Sequence, residues 1–118
     1  MARILIIDDS AFARRVLRGM LEPTGHAVLE SVGGMNALEQ YFMHQPDAVF
    51  LDLIMEEMNG FDLLQKLKEF DPKARVVIAT ADVQGSTEEE AMRCGACAVI
   101  TKPLESAGVL QALQTALQ

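Results

Sequence analysis

Ile4-Leu5-Ile6-Ile7 is an unbroken apolar run that stops at Asp8-Asp9-Ser10, where a helical pattern begins. The same succession, a short apolar run closed by polar residues and followed by helical periodicity, occurs five times in 118 residues. It constrains the fold more than any other feature. A strand with one wet face alternates polar and apolar residues, whereas an unbroken run is a strand buried on both faces of a parallel sheet. Parallel neighbours need a crossover between them, and each intervening periodic stretch supplies one.

Taken in order, Ser10 is an N-cap, and Ala13, Val16, Leu17, Met20 and Leu21 recur at helical spacing until Pro23-Thr24-Gly25. Ala27-Val28-Leu29 is a second strand, broken by Gly33-Gly34, and Ala37, Leu38, Tyr41 and Phe42 form one face of a second helix ending before Pro46. The third strand is Ala48-Val49-Phe50-Leu51-Asp52-Leu53, followed by a loop over 54–60. Asn59 caps a third helix carrying Leu63, Leu64, Leu67 and Phe70, which Asp71-Pro72 ends. Val76-Val77-Ile78-Ala79 is a fourth strand closed by Thr80, and Ser86 with Glu89 makes a capping box for a fourth helix. Ala98-Val99-Ile100 is the last strand, Thr101-Lys102-Pro103 a turn, and Leu104, Ala107, Leu110, Leu113 and Leu117 mark a final helix. The expectation is one α/β domain over residues 1–118, a three-layer α/β/α sandwich on a five-stranded parallel sheet with right-handed crossovers.

Composition narrows the function. Half the residues are hydrophobic and 23% charged, which suits a packed core. The net charge of −7 disfavours direct nucleic-acid binding and suits basic partners or metal ions. No segment approaches the ~20 apolar residues of a membrane span, and the N-terminus lacks a signal peptide pattern, so the reading is cytoplasmic with no membrane contact.

In a parallel sheet all C-terminal strand ends share one edge, so Asp8 and Asp9, Asp52, Thr80 and Lys102 converge there, at the mouth where open α/β sheets bind ligands. Three crowded carboxylates repel one another and invite a divalent cation, and all-oxygen ligands suit Mg²⁺. A lysine can pair with an incoming anion and a threonine hydroxyl can donate to it. A carboxylate nucleophile, a metal, an ammonium and a hydroxyl together describe phosphoryl transfer to aspartate.

On these residues the chain resembles the receiver domains of two-component response regulators, with the flavodoxin-like fold and the CheY type. The resemblance implies that Asp52 is the phosphoacceptor, and that Asp9, Asp52 and the Ile54 carbonyl ligate Mg²⁺ with Asp8 acting through water. It implies further that Thr80, Lys102 and the Ala81 amide bind the phosphoryl oxygens, and that the Lys102-Pro103 peptide is cis. It also implies a histidine kinase or histidine phosphotransfer protein as phosphoryl donor. The output partner would bind the face of helix four, strand five and helix five. Three positions depart from the usual pattern: Val99 stands where an aromatic often sits on strand five, Glu56 follows Met55 where proline is common, and Leu104 follows Pro103 in place of Phe. The signal is therefore expected to pass through Thr80 and repacking of the loop over 81–86. Ile54 and Asp82, two residues after Asp52 and Thr80, flank the route of hydrolytic water in such receivers.

Other readings are weaker. The adjacent acids of this chain do not match an aspartate-nucleophile phosphatase, whose acids stand two apart after strand one, and no phosphate-cradling loop supports a flavin or dinucleotide site. Cys94-Gly95-Ala96-Cys97 bridges a helix end and a strand, the wrong place for a thioredoxin-type pair, and reads as small buried residues. Glu88-Glu89-Glu90 reads as a solvated helix turn, and the methionines chiefly as core or loop filler. A receiver excised from a longer regulator remains an alternative to a stand-alone, chemotaxis-type protein.

Overall fold

A computed structural model describes residues 1–56 and 58–118; within the loop over 54–60, residue 57 lies outside the described residues. Among the described residues the elements run β1 (Arg3–Ile7), α1 (Ala11–Leu21), β2 (Ala27–Ser31), α2 (Gly34–His44), β3 (Ala48–Asp52), α3 (Gly60–Phe70), β4 (Val76–Thr80), α4 (Gly85–Arg93), β5 (Ala98–Thr101) and α5 (Ser106–Leu117). The strands form one parallel sheet in the order β2-β1-β3-β4-β5. This is the expected flavodoxin-like (βα)5 architecture.

Strand alternation divides the core into two layers. Leu5, Ile7, Val49, Leu51, Val76 and Ile78 face α2, α3 and α4. Ile4, Ile6, Phe50 and Val77 face α1 and α5, where Leu17, Leu21, Val109, Leu113 and Ala116 meet them. Every residue of the central strands β3 and β4 is buried, as unbroken apolar runs require.

Several helix faces differ from the periodic reading. On α5 the buried stripe is Val109, Ala112, Leu113 and Ala116, with Leu104, Leu110 and Leu117 partly buried against the same layer; of the expected positions only Ala107 is exposed. Phe42 and Phe70 turn outward and meet edge to face at 5.3 Å, while Ala37, Leu38 and Tyr41 carry the packing of α2. Met35, Met43 and Met92 are exposed rather than core filler. Helix α4 begins at Gly85, one residue before the expected cap Ser86, with Gln84 in the cap position and no side-chain cap bond of its own. The Ser10 and Asn59 caps form as expected, accepting from the amides of Ala13 and Phe61.

Candidate phosphoryl and cation site

The site lies at the C-terminal edge of the sheet, where β1 and β3 are neighbours although their crossovers leave in opposite directions. Asp52 is the last residue of β3, in register with Ala79. Its Oδ1 accepts the Ile54 amide at 3.3 Å, and its Oδ2 lies 3.6 Å from Lys102 Nζ. Asp8 follows β1 with its backbone amide on Ser31; Oδ1 accepts from the Ser10 amide at 2.9 Å and Oδ2 pairs with Lys102 Nζ at 3.0 Å. Arg14 donates to the Asp8 carbonyl at 2.7 Å, so the turn after β1 is fixed on both sides.

Asp9 is exposed and reaches across to the loop after β3, where its Oδ2 accepts the Glu56 amide at 2.9 Å. One carboxylate oxygen from each of Asp8, Asp9 and Asp52 lies within 4.8 Å of the others. Hard oxygen donors at that spacing fit a divalent cation such as Mg²⁺. Thr80 is fully buried, and the Lys102 amide donates to its carbonyl at 2.8 Å, so β5 carries the lysine past it toward the acids. The Lys102-Pro103 peptide is cis. Ala81 is exposed beside Thr80, and Ile54, two residues after Asp52, is 66% exposed.

Burial pushes the Asp52 carboxyl above the usual range, and the Asp8 charge adds to that push; Lys102 and the Ile54 amide oppose it. The site therefore holds more negative charge than its one lysine neutralises. A cation among the acids would relieve the strain and favour Asp52 as the anion.

The structure brings Asp8, Asp9, Asp52 and Lys102 together, with Thr80 at the neighbouring end of β4 and its hydroxyl on the Asp82 amide. Two supporting features escaped the sequence reading. Gly60 packs against the β3 terminus so closely that a Cβ would lie 2.4 Å from Leu53 Cα and 2.6 Å from the Asp52 carbonyl oxygen; the Asn59-Gly60 turn dipeptide was its only trace in sequence. The Glu56 amide that holds Asp9 is a backbone contact, and no side chain announces it. Cys94 and Cys97, by contrast, pack against opposite core layers on the two sides of the sheet and do not face each other. No helix of the described residues is long and apolar enough to cross a membrane.

The family model of the response regulator receiver domain matches residues 4–114. The chemotaxis protein CheY of Bacillus subtilis is 38% identical over 116 residues, covering 98% of this chain and 97% of that protein. The crystal structure of the CheX-CheY-BeF3-Mg complex from Borrelia burgdorferi aligns with a TM-score of 0.93 at 31% identity, over 98% of this chain and 89% of that one. NtrX from Brucella abortus aligns with a TM-score of 0.90 at 29% identity over 98% of this chain, which spans only 26% of the length of NtrX.

Proposed function

The chain belongs to the response regulator receiver domain family, and on that premise we propose that residues 1–118 act as one phosphoacceptor switch of the chemotaxis type in the cytoplasm. The observation that carries the reading is the cluster of Asp8, Asp9, Asp52 and Lys102, with Thr80 at the adjoining end of β4, together with a Borrelia relative crystallised with BeF3 and Mg.

In the proposed reaction an Asp52 oxygen attacks the phosphorus of a phosphohistidine on a kinase or phosphotransfer protein. The new P–O bond replaces the P–N bond, and the freed imidazole keeps the electron pair and takes a proton from water. Asp8, Asp9, Asp52 and the Ile54 carbonyl would hold Mg²⁺, which neutralises charge on the transferred group. Lys102 would exchange its contact with Asp8 or Asp52 for a phosphoryl oxygen, a short movement for a flexible ammonium. The Thr80 hydroxyl and the Ala81 amide would donate to the other oxygens. The Ile54 side chain, exposed and apolar two residues after Asp52, offers attacking water no hydrogen bond. The modified chain would then bind its output partner on the face of α4, β5 and α5.

Intact mass after incubation with acetyl phosphate and Mg²⁺ tests this reading. A single phosphoryl adduct that requires Mg²⁺ and is absent from Asp52→Asn is expected. Steady hydrolysis of a small phosphomonoester with no adduct would instead mean an aspartate-nucleophile phosphatase.

A further inference from the structure

The loop after β4 is held by a chain of hydrogen bonds that starts at the Thr80 hydroxyl and ends on α4. The backbone of Thr80 is fixed by β5, in register with Thr101, so only its side chain and the residues after it can move. Its hydroxyl accepts the Asp82 amide at 3.1 Å. The Asp82 carboxylate faces the other way: Oδ1 accepts the Gln84 amide at 2.9 Å and Oδ2 accepts the Thr87 hydroxyl at 2.7 Å. One side chain thus joins the Thr80 loop to the first turn of α4 and serves the end of the helix that lacks a side-chain cap from Gln84. Those two bonds, the Gln84 amide first, hold the Asp82 carboxyl below the usual range. Ala81, Val83, Gln84, Gly85 and Ser86 are all exposed, so polar bonds rather than apolar packing keep the loop in place.

We propose that Asp82, through Thr87, is a positioning residue that latches the loop after β4 in its resting arrangement and so restrains the Thr80 hydroxyl from turning to the phosphoryl group. This rests on the receiver reading and supplies its coupling to α4. Val99 lies against the core layer of α2, α3 and α4 and offers no ring whose rotamer could report the movement of Thr80. A ligand that binds the released arrangement must first break the latch, so a chain without the latch binds it more tightly.

The test is a titration with beryllofluoride in Mg²⁺, followed by backbone amide NMR, of the wild type, Thr87→Val, Asp82→Ala, the double variant and Thr87→Ser. Asp82→Ala also removes a negative charge, which by itself favours an anion; Thr87→Val breaks the same bond at constant charge and is the deciding variant. Thr87→Val should bind about fivefold more tightly, the factor one net hydrogen bond contributes. Adding Thr87→Val to Asp82→Ala should produce no further gain, since the bond is already gone, and Thr87→Ser, which keeps the hydroxyl, should match the wild type. Unchanged or weaker binding by Thr87→Val, or a further gain when it is added to Asp82→Ala, overturns the latch. A wild type that binds no beryllofluoride overturns the phosphoacceptor reading instead.

Discussion

Asp52 is only 7% exposed, yet the proposed phosphoryl transfer needs it as an anion. Burial first, and Asp8 second, raise its carboxyl above the unfolded value. A raised acid binds its proton more tightly in the fold than in the unfolded chain, so stability present at acid pH is lost as pH rises through the folded value. At neutral pH and without divalent cation, Asp52→Asn should therefore stabilise the chain by on the order of 1 kcal/mol, about 4 °C in thermal midpoint for this length. A lower midpoint would mean that the contact with Lys102 outweighs burial. Gly60→Ala should do the opposite. A Cβ there strikes the backbone of Asp52 and Leu53, which cannot yield as a flexible side-chain end could. A loss of about 2–4 kcal/mol in denaturant unfolding is expected, along with weaker phosphorylation because Asp52 and the Ile54 amide shift together.

At the scale of elements, α2 and α3 meet through Tyr41, which is nearly buried and donates to Asp71 at 2.6 Å. The bond lowers the Asp71 carboxyl, and burial, reinforced by Asp71, raises the Tyr41 phenol. The Asp71 contribution is present above the ordinary carboxylate range and is lost as pH falls through its lowered value. The Tyr41 contribution is present below the ordinary tyrosine value of about 10 and is lost as pH rises beyond it. Tyr41→Phe should cost about 1–2 kcal/mol at pH 7, as measured by urea unfolding, and should flatten the decline in stability above about pH 10.

This pairing also marks where sequence reading stops. The strands were legible because burial on both faces leaves an unbroken apolar run, and the caps at Ser10 and Asn59 because their chemistry is local. Tyr41 was legible only as one apolar position on α2, since its partner lies 30 residues away. The outward turn of Phe42 and Phe70 depends on which neighbour each helix meets. The start of α4 was misread because Asp82, two residues upstream of Gln84, takes up both the Gln84 amide and the Thr87 hydroxyl. The polar groups of the candidate site were legible because a parallel sheet brings every strand end to one edge; the glycine and the amides that support them carry no side-chain signature.

Across the whole molecule the net charge is −7, and three of its acids, Asp8, Asp9 and Asp52, meet at one point where Lys102 pairs with two of them. Any ion that binds the folded site but not the unfolded chain stabilises by mass action. Mg²⁺ at 100 times its dissociation constant should add about 2.7 kcal/mol and raise the thermal midpoint, while Asp9→Asn should lose most of that gain. Equal midpoints with and without millimolar Mg²⁺ would contradict a cation site.

The proposed switch is tested most directly by which carboxylate becomes the acyl phosphate. Borohydride reduction of the chain after acetyl phosphate treatment converts an aspartyl phosphate to homoserine, and peptide mass spectrometry locates it. Homoserine at position 52 alone is the predicted result. Homoserine at position 8 or 9, or the same trace at all three, would contradict the assignment of Asp52 as the phosphoacceptor.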